Sequence, residues 1–283
     1  MSRGHSLPHL KSTRLELLPM KVARNHRWDL SVKEAIALQN QLKTEIITTD
    51  QLPEVQCVAG VDVGFEDNGA TTRAAIAVLS YPALQLQEQV VARCPTQFPY
   101  VPGLLSFREI PAILQAIEQL TQTPDLLLCD GQGTAHPRRF GIACHLGLLT
   151  NLPAIGVGKS QLVGQHDEVP DQKGDWVALT DQDEVIGAVL RTRSGTKPLY
   201  ISPGHRISLR RAIAFVLACT TKYRLPETTR AAHKLASAPA IDRAAQTRAQ
   251  SSGARSSGSK ASGSQSSDSS ADPDWHQLEM DIG

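Results

Sequence analysis

Aromatic residues are scarce in this chain: five Phe, three Trp and four Tyr in 283 residues. A core must therefore be built mainly from Leu, Ile, Val and Ala, and with 41% hydrophobic residues there are enough of them. Excess charge of either sign is also missing. The formal net charge is +1, so bulk electrostatics recruit no partner, and any attraction to nucleic acid must come from local clusters. No Cys-x-x-Cys pair occurs among the five scattered cysteines, which excludes a zinc-ribbon pattern and reads as reduced thiols of a cytoplasmic protein. No apolar run reaches the roughly 18 residues of a membrane helix, and no apolar signal-peptide core follows the first residues. Beyond about Pro239 apolar residues nearly vanish and Ser, Gly, Ala and Gln take over. Such a stretch cannot bury enough surface to offset its ordering entropy, so residues 239–283 are expected to be a disordered tail. Residues 1–27 show little apolar periodicity and are expected to be a mobile leader.

What is present centres on Leu126-Leu-Leu-Cys-Asp-Gly-Gln-Gly-Thr-Ala-His-Pro-Arg-Arg139. An apolar run of this length makes a buried strand that ends on a carboxylate, Asp130. Glycines then permit a tight turn, and His136, Arg138 and Arg139 follow. An acid at a strand end beside cationic groups is suited to hold a divalent cation next to a phosphate. The plainer alternative is a strand, a turn and a helix with a solvated basic face.

Around this stretch the pattern gives three strands in an antiparallel meander, near 57–64, 74–79 and 86–92. A helix through Ile113 to Leu120 precedes the central strand, a second helix spans about 138–150, and a short strand covers 154–157. Ser31-Val-Lys-Glu34 fits a capping box opening an earlier helix that runs to about Ile46. Further strands are expected near 176–179, 185–190 and 199–201, and helices after Ser208 and Pro226. The order β-β-β-α-β-α-β implies an α/β fold of the ribonuclease H-like kind, a mixed sheet flanked by helices. In that order the first and fourth strands lie parallel and adjacent. Asp62, in Val61-Asp-Val63, then stands beside Asp130, as a metal-dependent phosphodiester site requires.

Other residues carry two readings each. Glu109 either closes a capping box with Ser106 or is a third acidic ligand; Pro111, close behind, weakens the cap. Three carboxylates would suit Mg²⁺. Lys159 in Gly156-Val-Gly-Lys-Ser160 fails the phosphate-loop spacing but can neutralise a phosphate as a single cation. His136, His145, His205 and His233 are ligand candidates or ordinary hydrogen-bonded side chains. In Phe98-Pro-Tyr-Val-Pro-Gly103 two prolines stiffen a loop that holds Tyr100 and Val101 at a tip. Such a tip wedges between bases or tucks back on the surface.

These motifs together resemble the endonuclease V family. The likeness rests on Val61-Asp-Val63, Pro99-Tyr-Val-Pro-Gly103 with Phe107-Arg-Glu109, the Asp130–Arg139 turn, Gly156-Val-Gly-Lys159, Pro198-Leu-Tyr-Ile-Ser-Pro-Gly-His-Arg206 and Thr228-Thr-Arg-Ala-Ala-His233. It covers about residues 28–237 and leaves both ends unexplained. Gly64 departs from it, since the family often carries Ser there. The resemblance implies a Mg²⁺-dependent nuclease, with Mn²⁺ as a substitute. It would recognise hypoxanthine in DNA or RNA and cut the second phosphodiester on the 3′ side. It implies Asp62, Glu109 and Asp130 as metal ligands, with Lys159 and His233 completing the catalytic set. Tyr100, Val101 and Pro102 would form the wedge, and Gly131, His136 and Arg138 would complete substrate binding. A monomer acting on inosine-containing nucleic acid, without a membrane, is the expected form. A junction-selective or ribonuclease H-type nuclease shares the acids but has no need of the Pro-Tyr-Val-Pro tip. A binding module with a degenerate site is argued against by the intact acids.

Overall fold

In a computed structural model of the chain, the described residues are 22–237; the expected tail and the leader through residue 21 lie outside them. Helix α1 (Val32–Leu42) opens with the capping box: the Ser31 side chain accepts from Glu34 N–H and Glu34 returns to Ser31 N–H. A single turn of 3₁₀ helix then carries the chain to Glu45. Strands β1 (Cys57–Glu66), β2 (Thr71–Ser80) and β3 (Leu86–Pro95) form the antiparallel meander. Helix α2 (Leu105–Ile117) leads to β4 (Leu126–Asp130), and α3 (Ile142–Thr150) to β5 (Ala154–Gly158). A hairpin of β6 (Trp176–Asp181) and β7 (Glu184–Leu190) precedes β8 (Leu199–His205). Helices α4 (Leu209–Ala218) and α5 (Glu227–Ser237) follow, α4 capped by Ser208.

The eight strands make one sheet in the order β3-β2-β1-β4-β5-β8-β7-β6. β1 pairs with β4 in parallel, and β4 with β5; the other neighbours are antiparallel. The register Val61↔Cys129 puts Asp62 and Asp130 side by side, one residue further along. Strand alternation sends Ala59 and Val61 to one face, packed with Ile110, Ile113 and Leu146 of α2 and α3. Val58 faces the other side, with Ile213 and Val216 of α4 and Ala232 of α5.

Two expectations need correction. Residues 22–27 are not a mobile leader: Ala23 and Arg24 N–H both donate to Leu149 O, and His26 reaches the buried His145. The polar look of this segment hid aromatic anchors, His26 and Trp28. The second helix begins at Ile142, not near Arg138, because β8 captures the intervening turn: Thr134 N–H donates to Pro203 O and Gly133 N–H to Ser202 Oγ. Of the two readings of Glu109, the capping box with Ser106 does not form. Leu104 is the N-cap without a side-chain bond, and Pro111 sits inside α2.

Candidate active site

The Asp62 carboxylate is fixed from two sides. Its Oδ1 accepts the Val63 N–H at 2.7 Å and its Oδ2 accepts His233 Nδ1–H at 2.7 Å. The imidazole arrives on α5, which can approach only because β1 offers bare backbone on either side of the acid. A Cβ at Gly60 would lie 2.0 Å from Thr228 O, and one at Gly64 2.5 Å from Ala236 O. The departure from the family pattern at Gly64 thus has a structural reason: the last turn of α5 lands there.

Asp130 joins this pair from β4. Ligand atoms of Asp62, Asp130 and His233 lie within 4.8 Å of one another. Lys159, just past β5, places its Nζ 2.6 Å from Asp130 Oδ2, and Arg224 donates to the Lys159 carbonyl at 2.9 Å. Glu109, on α2, is 7% exposed and feels the charges of both acids, but its carboxylate is not among the ligand atoms gathered within 4.8 Å. Burial, then the charges of Asp62 and Asp130, hold its pKa well above the usual carboxylate range. Asp130 is pushed up to about 6, first by burial and then by Asp62, with Lys159 opposing. Acids crowded at this cost fit a divalent cation, whose charge would reverse the repulsion and whose preference is for oxygen ligands.

Next to the acids is a cavity of about 230 Å³, of a size for one base. Tyr100, Val101, Pro102, Gly131 and His136 line it, as does Asp130, so the recognition and acidic residues share one hollow. Tyr100 is 72% exposed at its rim. Val101, expected at the tip beside it, instead packs with Phe98, Leu104 and Phe107 and anchors the loop. A larger hollow of about 410 Å³, between Tyr81 and Phe215, holds none of the acids.

The loop is tied to the Asp130 turn through one oxygen. Gly103 O accepts from Gln39 Nε2 (3.1 Å), His136 Nε2 (3.0 Å) and Arg138 Nη2 (2.6 Å). His136 Nδ1 accepts the Arg138 N–H at 3.2 Å, so its proton must sit on Nε2. Burial and the Arg138 charge lower the His136 pKa to about 4, which keeps it neutral. The Arg138 side chain thus points at Gly103 and Gln39, and it is not among the cavity-lining residues. Arg139 pairs with Asp181 (2.9 Å) and Glu184 (2.7 Å) of the β6–β7 hairpin. Gln39, 1% exposed, also donates to Phe140 O at 3.2 Å. Sequence reading passed over it, although a Gln between Ala35 and Leu42 on an apolar stripe is a signal of a buried polar task. Arg108 was missed too: it donates to Phe98 O (2.9 Å) and Gly69 O (3.3 Å) and stacks on Phe65.

Neighbouring acids on parallel strands of a mixed sheet, with a lysine and a base-sized cavity, define a nuclease of the ribonuclease H-like fold. The endonuclease V family model matches residues 40–234. The chain belongs to the endonuclease V family. Endonuclease V of Nostoc punctiforme is 60% identical over 220 residues, covering 77% of this chain and 100% of that protein. The Trichormus variabilis enzyme is 59% identical over 219 residues, covering 77% and 99%. Among solved structures, endonuclease V of Streptomyces avermitilis superposes with a TM-score of 0.71 at 41% identity, covering 80% of this chain and 96% of that one. That of Ciona intestinalis, solved with DNA containing an inosine, gives 0.64 at 29% identity, covering 72% and 95%.

Proposed function

We propose that this nuclease recognises inosine in DNA or RNA. It hydrolyses the second phosphodiester on the 3′ side and leaves 3′-OH and 5′-phosphate ends. What carries the reading is the placement of Asp130, which belongs both to the acidic cluster and to the wall of the base-sized cavity.

Asp62, Asp130 and Glu109 would hold Mg²⁺, or Mn²⁺ in its place. The cation, when bound, supplies Lewis-acid stabilisation of negative charge on phosphate oxygen. The remaining work falls to the chain. Asp62 fixes the His233 proton on Nδ1, which orients the imidazole at the acids. Lys159 is poised on Asp130 and is 38% exposed in its side chain, so it can turn to a phosphate. Tyr100, exposed at the cavity rim, would fill the gap that an extruded base leaves in its stack, and Val101 and Pro102 would hold the loop beneath it. Gly131 and His136 line the space the base would enter, while Arg138 acts through Gly103. The reading includes a monomeric, cytoplasmic enzyme. No helix among the described residues is long and apolar enough to cross a membrane. All five cysteines are free thiols.

Matched oligonucleotides with and without inosine, as DNA and as RNA, test this in Mg²⁺ and in chelator. Cleavage is expected only with inosine and metal. Asp62→Ala and Asp130→Ala should each lower it roughly a thousandfold while the fold survives. Near-normal turnover in either variant would sink the site assignment. A junction substrate that outcompetes the inosine strand would favour the structure-selective alternative.

A further inference from the structure

One wall of the cavity has no task in this scheme. Ser106, in the first turn of α2, lines the cavity and is 3% exposed. Its Oγ lies 3.1 Å from Nδ1 of His145, a fully buried residue of α3. His145 Nε2 lies 2.8 Å from His26 Nε2, and His26 Nδ1 lies 2.6 Å from Arg27 O. The proton positions along this chain follow by elimination. A carbonyl oxygen only accepts, so His26 Nδ1 carries a proton. Desolvation lowers the pKa of both imidazoles, that of His145 well below 6.5, so both are neutral. A neutral imidazole has one N–H. His26 Nε2 is therefore bare, His145 Nε2 donates to it, and His145 Nδ1 is bare in turn. Ser106 must give its single proton to His145, and its oxygen keeps only lone pairs. Trp28, Phe107 and Phe140 pack their rings 5.7, 5.1 and 5.1 Å from that of His145 and leave it no water to bond instead.

We propose that Ser106 is a specificity-determining residue, an acceptor-only hydroxyl in the wall of the base cavity, and that His145 and His26 are positioning residues that keep it so. The proposal rests on the inosine reading above. An acceptor-only oxygen favours a base edge that presents an N–H and repels a bare ring nitrogen. Hypoxanthine carries N–H at ring position 1, where adenine carries a bare nitrogen. The relay therefore reaches from the surface segment at His26 to the choice of base.

Single-stranded oligonucleotides carrying inosine, or 1-deazainosine in which C–H replaces that N–H, test it with Mg²⁺ present. The wild-type chain should prefer inosine. In Ser106→Ala the ratio of the two kcat/KM values should fall about five- to tenfold, the worth of one neutral hydrogen bond, mostly through KM. His26→Ala, at a half-exposed position that the fold tolerates more easily, should move the ratio the same way. His26→Gln, whose amide oxygen accepts the His145 proton, should restore it. If Ser106→Ala lowers both substrates equally, the serine is structural and the proposal fails. If His26→Gln leaves the ratio as low as His26→Ala does, the relay assignment is overturned. A wild-type chain that cuts both strands equally overturns this proposal alone; one that cuts neither overturns the inosine reading as well.

Discussion

Tyr100 is exposed on a loop that is pinned on either side of it. Phe98 is 4% exposed, Val101 packs inward, and Gly103 O receives three donors. An aromatic presented on a pinned backbone loses little freedom when it stacks, so its contact energy goes into holding a gap open. Base–aromatic stacking is worth roughly 1–3 kcal/mol, so Tyr100→Ala should weaken inosine-strand binding about tenfold or more. The loss should be greater on duplex than on single strands, where fewer stacks are broken, and competition binding on both will show it. Equal losses would make Tyr100 a plain contact. Residues of this kind were legible in sequence because their type is out of place: an acid in a β-branched strand, a tyrosine between prolines. Ser106 and His26 were not, and Gln39 showed only that it was a polar residue on an apolar stripe, because their partners lie far along the chain. Gln39 meets Phe140, and His26 meets His145, across intervals that no local pattern records.

At the scale of elements, the site depends on how closely α5 lies on β1. Gly60 and Gly64 flank Asp62 and form the bare strip on which the helix rests. Gly64→Ala would put a methyl group 2.5 Å from Ala236 O, so the end of α5 must lift. Overpacking of this kind costs about 1–3 kcal/mol. The expected result is a lower Tm with a disproportionate loss of single-turnover cleavage, since His233 leaves Asp62. An unchanged Tm would show that the helix yields freely. The strands and helices themselves were largely readable, because β1 to β5 are apolar runs bounded by turn residues and the helices keep helical spacing. The turn after Asp130 was not. The helical spacing of Ile142, His145, Leu146 and Leu149 extends back to Arg138 by extrapolation alone, and there Arg139 takes φ 56° and Gly141 N–H donates to Gly133 O. Contacts with a distant strand outweighed local propensity there.

For the whole molecule, the buried ionisable groups pull stability in opposite directions with pH. His136 and His205, both lowered to about 4, take up protons on unfolding between about pH 6.5 and 4, so their contribution is full above 6.5 and fades as pH falls. Asp130 is raised to about 6, so the folded state binds its proton more tightly than the unfolded chain. Its cost is full above pH 6 and disappears as pH drops toward 3.8. In chelator, Asp130→Asn should therefore melt higher than the natural chain at pH 7.5, by a few degrees, and the gap should close by about pH 4. Thermal scans of the two proteins across that range decide it, and a gap that widens toward acid pH would reverse the sign. The same helix that completes the site is also the last of the described elements along the chain. Asp62 and His233 are 171 residues apart. During translation the strands and their acids emerge first, and the strip at Gly60 and Gly64 stays open until α5 follows. The nascent chain thus holds its acids without their imidazole, and the hydrolytic centre closes only when synthesis has passed α5.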